Sequence, residues 1–599
     1  MVTFCSGSSP IPHPRLQFPW RGKAGRKRHA GEFAMLVILD SNGRLVFQRP
    51  GAVIRAACAA QVPAALAAME AARAAGHWLA GAFAYELGYA LEPRLAPLMP
   101  PDAGPLLQFG VYDGPSAEAP AADAPAAKTR AYAGPLQPEW DAAAYGRRFR
   151  AVKEALAAGD IYQANLSFRA GFAFAGNPRA LYEQLRAASA APHCAFVDDN
   201  DRQILSLSPE LFFAIEDGQI SARPMKGTAA RHGDDARERA ALAASQKDRA
   251  ENLMIVDLIR NDLGRIAQIG SVQVQDLFAI ETYPALHTMV STVTARLRPG
   301  TSIAAIAAAL FPCGSITGAP KIRAMEILRQ LESSPRGAYC GAIGYFAPHP
   351  KEEGGNCRFN VAIRTLTIMG NKGTLGIGGG VVQDSDATSE YAECLLKARF
   401  FEAARRPLEL IETLKWDNGF VRLDRHLARM AASANVFGLA FDGTLARRAL
   451  AGAVAGGAGA LRVRLTLDES GVFAAAAPLA ANPSHWSYTL SPQRIDSADL
   501  LLRHKTSWRD LYDADHAGDE VLFLNERGEI CEGARSNIFV KRAGQLLTPP
   551  LSSGLLPGIL RAELLESGQC EEAMLMETDL GGDVFFGNSL RGLIRAKRK

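Results

Sequence analysis

A multidomain α+β architecture is what this 599-residue chain predicts, and three observations carry it. Strand-like apolar runs and helical stretches are interspersed without a regular βαβ beat. The length exceeds what one hydrophobic core fills, since single domains seldom pass about 250 residues. A composition break at Arg405-Arg406-Pro407 separates a long unit, 35–405, from a shorter one, 407–599.

The elements follow in chain order. Residues 1–34 carry six Lys/Arg but no apolar h-region. They are expected to be a disordered or mis-started leader rather than a secretion signal. Met35 to Asp40 reads as the first strand of an α/β segment ending near Asp113. The Ala-, Pro- and acid-rich stretch 114–138 reads as a loop. Helical spacing over 140–158 closes at Gly159, a C-cap residue type. Further on, 204–208, 211–215, 343–346, 360–366 and 374–377 read as strands. The helices fall at 248–263, 303–310, 321–331 and 389–404. In the second unit 409–414 and 461–467 read as strands and 423–437 as a helix.

Bulk composition excludes several classes. A net charge of +4 is slight for this length and makes no case for nucleic acid or a membrane surface. No apolar run reaches the ~18–20 residues of a membrane span. The nine cysteines are scattered, with no CxxC pair, as expected of reduced thiols in a cytoplasmic enzyme.

Candidate chemistry begins at Lys226, in Pro224-Met225-Lys226-Gly227-Thr228, with Glu210 upstream in Ser208-Pro209-Glu210. A lysine fixed between Pro and Gly and desolvated by apolar neighbours would hold part of its amine neutral, the requirement for a nucleophile. A surface lysine in a turn is the plain alternative. Glu251 opens a helix, while Glu390 and Glu393, three apart, share one face of another. Three carboxylates on facing helices suit a hard dication such as Mg2+, although Glu393 and Lys397 also make an ordinary i,i+4 surface pair. The run Gly376-Ile377-Gly378-Gly379-Gly380 offers bare backbone amides to an anion. Arg364 offers a bidentate carboxylate clamp, and Thr317 and Lys321 add a hydroxyl and a second cation. Together they describe a pocket for a small di-acid bound through a metal.

The ordered motifs 160–165, 224–228, 257–262, 314–321 and 376–397 resemble the chorismate-utilising enzymes, which include anthranilate, isochorismate, salicylate and aminodeoxychorismate synthases. The resemblance implies their α/β sandwich-type fold, chorismate as substrate and Mg2+ as cofactor. Lys226 and Asn165 match the aminodeoxychorismate branch; anthranilate synthases carry Ala at the lysine position. By that resemblance Lys226 attacks ring carbon 2, Glu210 protonates the departing 4-hydroxyl, and ammonia adds at carbon 4 and expels the lysine. Met225 replaces the more usual Ile. Thr288 stands where anthranilate synthases carry a catalytic histidine; His287, one step earlier, reads equally as a packing residue or a site residue.

In the second unit Lys505, Glu532, the turn Leu556-Pro557-Gly558-Ile559 and Asn588-Ser589 supply what pyridoxal phosphate requires. These are a lysine for its aldehyde, an acid for its pyridine nitrogen and a glycine turn for its phosphate. In this order they resemble the fold-type IV pyridoxal-phosphate enzymes, whose fold is a smaller α+β domain. The resemblance gives Lys505 the covalent attachment and the proton transfer, Glu532 the pyridinium, and Arg429 with the Gly558 and Ile559 amides the phosphate, with Ser589 close by. The unit is short for that family, and Leu560 stands where a hydroxyl residue often helps. Aminodeoxychorismate from the first unit would then lose pyruvate in the second to give p-aminobenzoate, a folate precursor. Ammonia is expected from a separate glutamine amidotransferase, and a homodimer through 407–599 is one arrangement the resemblance allows. Three alternatives stay open: an anthranilate synthase-like enzyme fused to an aminotransferase-like domain, an enzyme whose second unit is an ordinary aminotransferase, and a synthase with a non-catalytic second unit.

Overall fold

The computed structural model describes residues 35–599 except 42, 117–129, 284–285, 349–354 and 514–517; the leader expected at 1–34 lies outside the described residues. Among these, the strands gather into four sheets. A ten-stranded sheet runs from Gly318–Ala319 through Gln163–Gly176, Lys372–Val381, Thr365–Met369, Gln203–Ser208, His193–Asp198 and Leu36–Asp40 to Arg44–Phe47. A second, also ten-stranded, starts at Met225–Ala230 and passes Leu286–Arg296, Gln219–Arg223, Leu211–Glu216, Cys357–Val361, Ala342–Phe346, Trp78–Phe83 and Leu107–Tyr112 to Ala52–Ala56.

Alternation along these strands builds the layers. Val37, Leu39, Val197 and Ile204 of the first sheet meet Ala80, Ala82 and Ile343 of the second in one buried cluster, so the sheets face each other. The residues pointing the other way meet helices. Phe168, Phe172, Leu375 and Ile377 pack under the helices Ala142–Ala157 and Ala387–Lys397, and Phe213, Phe359 and Val293 under Gln246–Gly264 and Ile303–Leu310. Several helices have a local reason to start. Asp386, Ser245 and Asp234 accept from the first-turn amides of Ser389, Asp248 and Arg237.

Three sequence expectations are corrected. The strand expected at 360–366 is two strands, Cys357–Val361 in the second sheet and Thr365–Met369 in the first. The chain changes sheets between them, with Arg364 in the left-handed region at φ 49°. The helix expected at 389–404 stops at Lys397 and restarts as Arg399–Ala403. In the stretch read as a loop, Ala131–Ala133 and Gln137–Pro138 pair with Gln163–Gly176.

The second unit has a three-stranded sheet, Leu410–Trp416, Leu461–Asp468 and Gly471–Pro478, and an eight-stranded one centred on Trp486–Ile495 and Gly592–Arg598. The helices Leu423–Phe437 and Gly443–Val454 supply apolar residues to the core of the smaller sheet. The two units share that core. Tyr132 and Ala175 of the first are buried with Leu408, Phe437 and Trp508 of the second, the Tyr132 hydroxyl donates to the Phe437 carbonyl at 3.0 Å, and Arg130 donates to the Trp508 carbonyl at 2.6 Å.

Candidate active sites

Lys226 lies on Met225–Ala230, at the end of the second sheet, against the helix Gln246–Gly264. Its Nζ is 2.9 Å from the Glu251 carboxylate and the side chain is about a quarter exposed. The apolar setting expected for it is therefore replaced by an ion pair. The glycine run does not form a loose anion cradle either. Gly376 to Gly380 continue the strand Lys372–Val381 and pair one by one with Arg169 to Asn165. Their missing side chains leave room. A Cβ on Gly380 would sit 3.0 Å from Lys226 Nζ and 2.7 Å from Gln163 Nε2, and one on Gly379 3.2 Å from Glu390 Oε2.

Glu210 is the second group. Burial pushes its carboxyl up to about 7, opposed by a Ser315 hydrogen bond, Lys226 and the Met225 backbone. One carboxyl oxygen is buried without a hydrogen-bond partner. A carboxyl that keeps its proton near neutrality beside an amine is fitted to act as an acid.

The three expected metal carboxylates are held in different ways. Glu251 pairs with Lys226. Glu390 is buried and accepts from Ser385 Oγ at 2.7 Å. Glu393 is half-exposed and pairs with Lys397 at 3.0 Å. Burial works to raise the Glu393 pKa, but Lys397, Lys226 and Lys247 together lower it. An oxygen-only donor set suits a hard dication, but these three carboxylates are not a group whose ligand atoms all lie within 4.8 Å of one another, so the expected metal shell is not assembled here and an ion would have to draw them together.

The remaining predicted residues divide. Arg364 is partly buried, is drawn below its ordinary pKa by burial, and has no carboxylate partner among the described residues, as suits a guanidinium kept for an anion. Lys397 donates to the Gly378 carbonyl at 3.2 Å as well as pairing with Glu393. Lys321 is committed elsewhere: its Nζ donates to Asp262 at 2.6 Å and to the Leu310 carbonyl at 3.0 Å. Thr317 is fully buried, its hydroxyl 3.1 Å from the carbonyls of Cys313 and Gly314. Both brace the turn that brings Ser315 to Glu210. Sequence reasoning passed over Ser315 and Gln163. Gln163 is 1% exposed with neither amide atom hydrogen-bonded, and its place in the Gln163-Ala164-Asn165 motif was the available signal.

In the second unit a cavity of about 650 Å³ is bounded by Lys505, Glu532, Arg429, Gly558, Ser589 and, from the first unit, Arg130. Burial draws the Lys505 amine down to about 8, helped by Arg429 and Arg509 and opposed by Glu412 and Glu532. Glu532 is buried, accepts from the Tyr512 hydroxyl at 2.7 Å and the Leu556 amide at 3.1 Å, and burial raises it to about 7. Gly558 precedes the helix Ile559–Glu566; a Cβ there would lie 1.8 Å from Asn537 Oδ1, so any larger residue would have to push the Asn537 amide aside. Arg429 makes a bidentate pair with Glu412 at 2.8 and 2.7 Å and donates to the Pro557 carbonyl at 3.0 Å. His426 bridges Glu412 at 2.6 Å and Ser589 Oγ at 2.8 Å. Glu412, His426 and Tyr512 were missed because a buried Glu or His inside an apolar strand or helix leaves no motif. A part-buried low-pKa lysine, an acid facing it, and a helix start opened by a glycine match what pyridoxal phosphate needs.

Residues 27–403 match the chorismate binding enzymes, and residues 409–598 match the class IV amino-transferases. The chain belongs to the chorismate binding enzymes. It is similar to aminodeoxychorismate synthase component 1 of Klebsiella aerogenes, 45% identical over 272 residues, 45% of this chain and 58% of that protein. The Escherichia coli protein of the same name is 45% identical over 271 residues, 45% of this chain and 57% of that one. This chain thus spans little more than half the length of the curated relatives it matches. A protein solved from Mesorhizobium loti and named for a proposed amino-acid aminotransferase activity is 46% identical over 32% of this chain and all of that one, with a TM-score of 0.31. The fold is a chorismate-binding domain followed by a fold-type IV aminotransferase-like domain.

Proposed function

We propose that the chain makes p-aminobenzoate from chorismate in two steps, amination in the first unit and pyruvate elimination in the second. The observation that carries the first step is the buried Glu210 carboxyl, raised to about 7 next to Lys226. The neutral Lys226 amine forms a bond to ring carbon 2, the ring double bonds shift, and the 4-hydroxyl departs as water with the proton of Glu210. Ammonia bonds to carbon 4, the shift reverses, and the carbon–nitrogen bond to Lys226 breaks, so that chorismate and ammonia give aminodeoxychorismate and water. Dividing one substitution into two suits a poor leaving group. Glu251, Glu390 and Glu393 would hold Mg2+, which supplies Lewis-acid assistance to the leaving hydroxyl. Arg364 and Lys397 supply positive charge for the substrate carboxylates, and Gln163 hydrogen bonds.

In the second unit pyridoxal phosphate supplies an electron sink for carbanion chemistry. Lys505 anchors it and moves the proton from the amine-bearing ring carbon. Glu532 would hold its pyridine nitrogen, and Arg429 with the Gly558 and Ile559 amides would hold its phosphate. Loss of the enolpyruvyl group as pyruvate leaves an aromatic ring, the driving force of the step. The relatives' name, component 1, supports ammonia delivery by a separate glutamine amidotransferase.

The test is the purified chain with chorismate, Mg2+ and ammonium, read for p-aminobenzoate and pyruvate. Both products are expected, with none when ammonium is withheld. Anthranilate as the product would overturn the proposed first step, and aminodeoxychorismate accumulating without p-aminobenzoate the second.

A further inference from the structure

His287 sits on Leu286–Arg296 with no exposed surface, and its Nε2 has no hydrogen-bond partner. It points between two carboxylates from the first turn of the helix Asp235–Ala244. Nε2 is 3.4 Å from Asp235 Oδ1 and 3.4 Å from Glu238 Oε2. That separation is long for a hydrogen bond, which spans about 2.7–3.2 Å. It equals the ligand-to-ligand edge of a tetrahedron whose metal bonds are about 2.0–2.2 Å, roughly 3.4 Å. Among the described residues these three are also the group of His, Cys, Asp and Glu whose ligand atoms all lie within 4.8 Å of one another.

The surroundings hold each ligand in place. Glu238 Oε1 accepts from the His232 amide at 2.9 Å, leaving the buried Oε2 without a partner. Arg231 grips Asp235 at 2.8 and 2.7 Å. His287 Nδ1 is 3.0 Å from Thr282 Oγ1, which also accepts from Arg239 at 3.0 Å. A hydroxyl oxygen with two lone pairs can accept from both, an arrangement that goes with the tautomer leaving Nε2 bare. The two carboxylates meet one guanidinium directly, Arg231, while Arg239 reaches the site only through the Thr282 hydroxyl.

We propose that Asp235, Glu238 and His287 form a second cation site, distinct from the carboxylates beside Lys226, for Zn2+ or a similar nitrogen-accepting transition dication. A hard Mg2+ would not select the imidazole. Ala229 pairs with His287 across the ladder, on the strand that carries Lys226. The ion would therefore clamp the helix Asp235–Ala244 to Leu286–Arg296, the strand paired with the one holding Lys226, a structural rather than a chemical part.

The test uses the full chain, stripped with chelator, thiol-blocked and saturated with Mg2+, then titrated with Zn2+ against a chromophoric chelator and, separately, with Co2+ read by visible absorption. About one equivalent of Zn2+ is expected, together with the intense Co2+ bands of a low-coordinate site. His287→Gln should lose that equivalent, and Glu238→Gln should weaken it at least about tenfold. Absence of stoichiometric Zn2+ binding, or binding that persists in both variants, overturns the site. Should His287→Gln fail to fold, Glu238→Gln decides alone, since that side chain is partly exposed at the surface.

Discussion

The two halves of this molecule each present a candidate catalytic lysine, and they set it in opposite electrostatic company. Lys226 has a carboxylate at 2.9 Å, and its charge is matched. Lys505 has no ion-pair partner among the described residues and is flanked by Arg429 and Arg509, which join burial in drawing its amine down to about 8. Both proposed reactions begin from an uncharged amine. The second unit moves its lysine toward that condition in the resting fold. The first leaves it to the events of binding, because anything that draws Glu251 away from Lys226 removes the group that holds its charge.

The sharpest break of this comparison is to remove each lysine in turn. Lys226→Ala should cut amination by about 10³-fold or more while leaving the second unit competent on supplied aminodeoxychorismate. Lys505→Ala should do the reverse, with aminodeoxychorismate accumulating. Separate assays of the two products check it, and a single lysine that abolishes both activities would contradict the division of labour. Next in size is a stability effect. Glu412 is fully buried and held at about 2, burial raising it but Arg429 and His426 lowering it more. Glu412→Gln leaves the guanidinium without its counter-charge and should cost about 3–5 kcal/mol, read as a lower urea midpoint for the second unit. The carboxylate's contribution is present above the unfolded value near 4.5 and is lost as pH falls toward 2.

Third, the amination rate should fall as pH rises through about 7, because Glu210 acts with its proton on and its raised pKa places the loss there. Glu210→Gln should lower the rate by about 10²–10⁴-fold and flatten that limb. A pH profile of single-turnover amination checks both, and a limb that survives the substitution belongs to another group.

How much of this was legible in the sequence follows from what each feature depends on. Helices such as Ile303–Leu310 and Lys321–Leu331 were read to the residue, because apolar spacing and a following break are local signals. The split at Arg364 was not, since the switch from one sheet to the other is a tertiary event in a continuous apolar run. At the sites, lysines and glycines in long motifs were visible, and Lys226 with Glu210 came together. Lys321 and Thr317 look like substrate ligands in one dimension, yet they brace the turn behind Ser315 in three. Glu412 left no trace, and His426 was visible only as the first residue of the run His426-Leu427-Ala428-Arg429. Their meaning lies in mutual contact across 14 residues, which apolar flanks conceal.

The smallest expected effect tests the comparison most directly. If fixed positive charge helps to hold Lys505 low, removing one guanidinium should raise it without touching the chemistry. Arg509 serves because it donates to the Ala534 carbonyl and stacks on Tyr512 at 5.1 Å, whereas Arg429 is tied to the buried Glu412. Arg509→Met keeps most of the volume and the contact with the ring. It should move the apparent pKa of Lys505 upward from about 8 by up to about one unit, read by amine-selective labelling of the apo chain against pH. The sign carries a stability consequence. An amine whose folded pKa is depressed costs stability below about 8, and that cost fades as pH rises toward the unfolded value near 10.5. The variant should therefore be slightly more stable than the parent near neutrality, with the difference closing above pH 10. A pKa that stays fixed in Arg509→Met would assign the depression to burial and Arg429, and the contrast between the halves would then rest on desolvation more than on charge.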